Sequence, residues 1–211
     1  MPVIAVDGPA ASGKGTIARA LGRHFGLPHL DTGALYRAVA LSALKSGIAL
    51  DDAATLGRLA AQLDLSLLED PALRDTRTAD AASRVSALPA VRAALLAFQR
   101  GFAAQPGGAV LDGRDIGTVI APQADAKLFV TASPAIRARR RFLEHQAAGR
   151  ALTEAQVLAD IEARDARDSS RADAPLVRAA DADLLETSNF DIDAAVQHAI
   201  ALVTARLGRT S

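Results

Sequence analysis

"VIAVDGPAASGKGTIARAL", residues 3 to 21, decides how this chain is read. An apolar run ends in Asp7, a glycine-rich loop follows, and a helical pattern starts at about Lys14. The loop fits G-x-x-x-x-G-K, with Gly8, Gly13 and Lys14 in register and Pro9, Ala10, Ala11 and Ser12 between them. Successive backbone N–H groups at the start of a helix cradle phosphate, and the helix dipole favours the negative charge. Lys14 then reaches the outer phosphates as a point charge. The competing structural reading is a glycine-rich turn that merely joins a strand to a helix. Gly15 stands where the commonest loops of this kind have a magnesium-binding hydroxyl, and the hydroxyl comes one residue later, at Thr16. Mg²⁺ is therefore expected to rest on phosphate oxygens and water, without a direct protein ligand.

Working outward, the pattern alternates between strands and helices. Strands are predicted at 2–7, around "LPHLD", at 109–113, at 126–132 and at 183–187. Helices are predicted at 14–25, 33–46, from Asp51 or Asp52 to 63, and at 76–87, 89–103 and 191–207. Two more helices open at Ser133-Pro134 and at Thr153, where Gln156 completes a capping box. Residues 64–75 are ambiguous, with "DLSLL" a possible strand. Such alternation implies a doubly wound α/β domain whose parallel sheet is covered on both faces, with ligands at the carboxyl ends of the strands.

Composition sets limits. The chain has 211 residues, half of them hydrophobic, and a formal net charge of zero, so no global field recruits nucleic acid or an anionic membrane. It has no cysteine, which excludes disulfides, thiolate metal sites and a cysteine nucleophile. No apolar stretch matches a membrane span and no signal peptide is recognisable, so a cytoplasmic location is expected. Lysine occurs only at positions 14, 45 and 127, so other fixed cationic contacts to phosphate fall to arginine.

"LDTGALYR", residues 30 to 37, matches the Asp-Thr-Gly of aspartic proteases, but those are nearly all-β and need a second copy, which is absent. At a strand end beside a phosphate loop, Arg37 has instead the planar fork suited to a second phosphate. Arg164, Asp168 and Arg171 share a helix stripe, and so do Arg137, Arg140 and Arg141. Solvated, self-paired surface charges are the plain alternative for both stripes. Asp112 ends an apolar strand, the place for a carboxylate that orients magnesium-bound water; capping the Gly113 turn is its bland alternative.

The form "GKGT" is similar to the loop of nucleoside monophosphate kinases and unlike switch GTPases, whose N-K-x-D signature is missing. With "LDTGALYR", "LDGRDIGTVIAP", "ARDARDSSRADAPL" and "AADADLLETS", the chain resembles bacterial-type cytidylate kinases from Asp7 to Ser188. "DGRDIGTVI" with "RDSSR" separates it from adenylate, guanylate and shikimate kinases.

The resemblance implies a five-stranded parallel sheet of the P-loop kinase type, with a monophosphate-binding region and an arginine-bearing lid near 137–171, all as one domain over 1–211. It implies transfer of the γ-phosphoryl group of ATP to CMP or dCMP with Mg²⁺, by a monomer without nucleic-acid or membrane partners. Residues Gly8 to Thr16 would bind ATP, and Lys14, Asp112, Arg114, Arg140 and Arg141 would serve the transfer. Arg37, Arg114 and Arg171 match contacts to the CMP phosphate, with Asp31 and Thr32 beside them. Ser83, Arg92 and Asp115 match contacts to cytosine, and Arg164 with Asp168 match contacts to the sugar. A carboxylate at Asp115 accepts from the cytosine amino group and repels the uracil oxygen at that position. The family commonly carries a longer insert with its own small sheet where this chain has only 24 residues, between Asp64 and Pro89. A P-loop kinase with another acceptor, and a nucleotide sensor without turnover, stand as alternatives.

Overall fold

The computed structural model describes residues 1–208. Five parallel strands run in the order β2-β3-β1-β4-β5, with helices on both sides. The strands are β1 (Val3–Asp7), β2 (His29–Asp31), β3 (Ala109–Gly113), β4 (Ala126–Thr131) and β5 (Asp183–Glu186). β1 is central because its run of apolar, β-branched residues suits burial on both faces, and Ile4, Ala5 and Val6 have no exposed surface. It pairs in register with β3 (Val6 opposite Asp112, Asp7 opposite Gly113) and with β4 (Asp7 opposite Phe129). Neighbours in register share a face, so Val6 and Asp112 point one way and Asp7 the other.

The chain divides into two compact units. One comprises Met1–Leu30 and the chain from Gln105 onward. It holds α1 (Lys14–Phe25), α6 (Pro134–Ala147), α7 (Glu154–Ser169) and α8 (Ile192–Leu207). Its core packs Ile17, Ala18 and Leu21 of α1 and Ala195, Ala199 and Val203 of α8 on Ile4, Val6, Val110, Leu128, Val130 and Leu185. The other unit, Asp31–Ala104, is helical: α2 (Thr32–Lys45), α3 (Ala53–Ala61), α4 (Thr76–Val85) and α5 (Pro89–Ala103).

The sequence signals at the helix ends hold. The Ser133 hydroxyl accepts from the Ile136 N–H, Pro134 opens α6, and Thr153 with Gln156 forms the complete capping box of α7. Asp52 caps α3 by accepting from the Thr55 N–H at 3.0 Å. "DLSLL" does not form a strand: Leu65–Glu69 and Pro71–Arg74 are two short 3₁₀ turns. Their cause is local, since Asp64 accepts from Ser66 N–H and Asp70 from Ala72 N–H, closing tight turns in place of an extended ladder. A π-turn at Ile116–Ile120 was not foreseen.

Candidate active site

The phosphate loop is shaped by three left-handed or otherwise unusual backbones. Gly8 has φ 152°, Ala11 φ 57° and Gly13 φ 87°. A β-carbon on Gly8 would lie 2.0 Å from the Val130 carbonyl oxygen, so the loop presses on β4 where only glycine fits. Gly13 caps α1 without a side-chain bond, leaving the first N–H groups of the helix to face a ligand. Ser12 is 1% exposed, and its hydroxyl has no hydrogen-bond partner, a buried donor that fits a phosphate-binding loop. The Lys14 ammonium donates to the Pro9 carbonyl at 3.2 Å, folded across the loop it serves.

Asp112 lies at the end of β3, buried, with one oxygen 2.7 Å from His29 Nε2. Its other oxygen lies 3.8 Å from where a β-carbon of Gly15 would stand. Asp112 therefore faces the first turn of α1 at van der Waals range. A carboxylate there suits a hydrated magnesium ion, which tolerates few protein ligands, while the Thr16 hydroxyl accepts from Arg19 at 3.5 Å. Among the described residues, no cluster of three or more acidic or histidine side chains forms a metal cage.

A second centre forms around Asp168, which is 1% exposed on α7. Arg114 Nε donates to it at 2.9 Å, Arg171 donates to its other oxygen, and Arg164 Nε lies 3.9 Å away. Burial pushes the Asp168 carboxyl up, but the charges of Arg114, Arg171 and Arg164 outweigh it and hold it below the usual carboxylate range. Three guanidiniums converge on one carboxylate, the arrangement of planar donors that suits an anion. The predicted stripe of Arg164, Asp168 and Arg171 is thus one assembly, and the "DGRD" turn delivers Arg114 to it.

The arginines of α6 separate. Arg137 is 3% exposed and donates to Asp165 at 2.5 and 3.1 Å, to the Ala132 carbonyl at 2.8 Å and to the Ala10 carbonyl at 3.2 Å. It pins α6 to α7 and to the phosphate loop. Arg140 donates to Thr187 through both its hydroxyl (3.1 Å) and its carbonyl (2.7 Å). Arg141 pairs with Glu144 at 3.1 Å. Arg140, Ser12, Gly13, Thr16, Thr187 and Phe190 line part of a cavity of about 330 Å³ beside the phosphate loop. Thr187 and Phe190 were missed in the sequence, although the rule that ligands gather beyond strand ends pointed to the segment after β5.

In the Asp31–Ala104 unit, Asp31 does two things at once. Its side chain caps α2 by accepting from the Ala34 N–H at 3.1 Å, and it accepts from Arg37 Nη2 at 2.6 Å. A β-carbon on Gly33 would stand 3.0 Å from the first group and 3.2 Å from the guanidinium, so glycine leaves the pair its space. Thr32 is buried in the first turn. Arg92 is buried on α5, reaches the Tyr36 hydroxyl at 3.4 Å and lies over its ring at 6.0 Å. Ser83 is 3% exposed on α4, and its hydroxyl has no hydrogen-bond partner. A buried hydroxyl without one costs about 1–3 kcal/mol, a cost that a ligand contact removes. In the first unit Asp115 is buried, 4% exposed, immediately before the π-turn.

Comparison with known proteins agrees with this geometry. The family model described as cytidylate kinase matches residues 4–205. A cytidylate kinase of Bradyrhizobium sp. (strain ORS 278) is 58% identical over 208 residues, 98% of each chain. Another, from Rhodopseudomonas palustris (strain BisA53), is 57% identical over 208 residues, 98% of this chain and 99% of that one. Among solved structures, a gluconokinase from Sinorhizobium meliloti 1021 superposes with a TM-score of 0.56 at 16% identity, covering 99% of this chain and 95% of its own. An uncharacterized protein of Eubacterium ventriosum ATCC 27560 gives 0.57 at 14%, covering 97% and 99%. The two structures share the fold alone, whereas the sequence relatives and the matched residues carry the assignment: the chain belongs to the cytidylate kinase family.

Proposed function

We propose that this protein transfers the γ-phosphoryl group of ATP to CMP or dCMP, giving ADP and the corresponding diphosphate. The observation that carries the proposal is the pairing of a phosphate loop with a second, arginine-rich anion centre around Asp168, in a chain 58% identical to a cytidylate kinase. ATP takes the loop from Gly8 to Thr16, with its nucleoside in the cavity beside Thr187 and Phe190. Lys14 and the N-terminal amides of α1 hold the outer phosphates. Mg²⁺, when bound, would neutralise charge on the phosphates. Asp112, hydrogen-bonded to His29, would hold a water of that ion.

For the acceptor, Arg114, Arg171 and Arg37 take the CMP phosphate, and Arg164 with Asp168 takes the sugar. Ser83, Arg92 and Asp115 take cytosine, with Asp31 keeping Arg37 in place and Thr32 beside it. Arg140 and Arg141 ride on α6 as part of an arginine-bearing lid over the transferring group. No general base is needed, because the attacking phosphate oxygen is already ionised. The loose transition state asks for alignment and positive charge, and both centres supply that. We place the enzyme in the cytoplasm, working as a monomer.

The test is ADP formation from ATP and Mg²⁺ with CMP, dCMP, UMP, AMP, GMP or shikimate offered separately. Turnover with CMP and dCMP well above the others is expected. Faster turnover with another acceptor would replace the substrate assignment, and tight ATP binding with no turnover would make the protein a sensor.

A further inference from the structure

Asp7, the last residue of β1, has no role in the scheme above, yet its carboxylate is almost fully buried at 5% exposure. Oδ1 accepts from the Ile116 N–H at 2.8 Å and Oδ2 from the Gly117 N–H at 2.7 Å. These amides open the π-turn that begins directly after Arg114 and Asp115. We propose that Asp7 is a positioning residue that clamps this turn and thereby sets Asp115 against the acceptor base. The proposal rests on the reading of Asp115 as the group that meets cytosine.

A turn closed by i→i+5 bonds, here Ile120 N–H to Asp115 C=O and Ala121 N–H to Ile116 C=O, leaves its first amides without partners from the turn itself. Only an ionised carboxylate offers two acceptor oxygens to two parallel N–H groups; an amide would set a donor against one of them. Contact is tight. A β-carbon on Gly117 would lie 3.3 Å from Asp7 Oδ2 and 3.1 Å from Lys127 Cδ, so the backbone is seated directly on the carboxylate and the lysine stem.

The charge is held there at a cost. Burial pushes the Asp7 carboxyl up to about 6; the Gly117 and Ile116 amides oppose this, Asp115 adds to it, and Lys14 opposes it. The third charged neighbour is Lys127, whose ammonium is engaged by Asp181 and the Pro122 carbonyl. Asp7 adjoins Gly8 along the chain, but both of its carboxylate oxygens bond the acceptor-side turn.

The experiment compares wild type, Asp7→Asn and Asp115→Ala in steady state with CMP and UMP at about pH 7.5, where the nucleotide phosphate is ionised. For Asp7→Asn we expect KM for CMP to rise about tenfold and the CMP-to-UMP ratio of kcat/KM to fall about tenfold, with KM for ATP unchanged. Equal increases in both KM values, or an unchanged ratio in Asp7→Asn while Asp115→Ala shifts it, would overturn the clamp. An unchanged ratio in Asp115→Ala would instead remove the reading beneath it. A second measurement does not depend on the variant folding. In wild type the Ile116 and Gly117 amide resonances should titrate together with a midpoint of about 6. Resonances that stay fixed while the Asp7 carboxyl signal itself titrates would refute the clamp.

Discussion

Single charges at this site are held in opposite senses. Asp168 sits among arginines that lower its pKa, so its ionisation adds stability above the ordinary carboxylate range near 4, and that stability is lost as pH falls through the depressed value. Asp7 is raised to about 6, so the fold holds its proton more tightly than the unfolded chain does, and stability is lost as pH rises from about 4 through about 6, above which the carboxylate is ionised in both states. The raised value corresponds to roughly 3 kcal/mol of penalty at neutral pH. Urea unfolding over a pH series should therefore separate two variants. Asp168→Asn should lose stability relative to wild type most at neutral pH and converge with it in acid. Asp7→Asn should gain relative to wild type as pH rises from about 4 to about 6 and then hold that difference; parallel curves for both variants would contradict the two environments. Lys14 belongs to the same scale. Its ammonium is partly exposed and bonded to a loop carbonyl, so Lys14→Ala should keep its melting temperature while kcat falls about a thousandfold. Unchanged turnover would defeat the ATP site.

Helix ends were legible residue by residue, because a cap is a contact between near neighbours in sequence. Ser133, Thr153 with Gln156 and Asp52 each bond an N–H within three residues, and Asp31, which was not read as a cap, does the same for α2. The π-turn at Ile116–Ile120 was not legible, because the group that satisfies its first amides comes from Asp7, more than a hundred positions away. The arginines of α6 make the same point. Spacing put Arg137, Arg140 and Arg141 on one face, but packing of α6 on α7 buries Arg137 against Asp165 and leaves Arg140 on Thr187. Arg137→Met should remove a buried pair together with two carbonyl contacts, lowering stability by about 3 kcal/mol by thermal or urea unfolding. Because one of those carbonyls belongs to Ala10, KM for ATP should rise as well. A melting temperature equal to wild type would mean that the pin carries no load.

At the scale of the molecule, each of the two units buries apolar side chains of its own. The sheet unit packs a continuous apolar layer between β1, β3, β4, β5, α1 and α8. The Asp31–Ala104 unit buries Leu35, Val39, Leu56, Val85, Val91 and Leu95 along its longer helices, and a smaller cluster of Ala38, Leu41 and Leu73 is closed by residues of the two 3₁₀ turns. Amide hydrogen exchange should accordingly be slowest in β1, β3 and β4 and much faster across 65–85. Equal protection in both would contradict that division. The sequence by itself determined the alternation of strands and helices, the phosphate loop and its family. Those depend on apolar period, glycine backbone freedom and caps, all of which act within a few residues. It also named Arg114, Arg164, Asp168 and Arg171. Only the tertiary structure decided that three of these guanidiniums converge on one carboxylate, that Thr187 and Phe190 flank the loop, that Arg137 is a pin, and that Asp7 holds the turn before which Asp115 stands. Each of those depends on groups far apart in the chain, and their charges acquire weight only once packing has removed them from water.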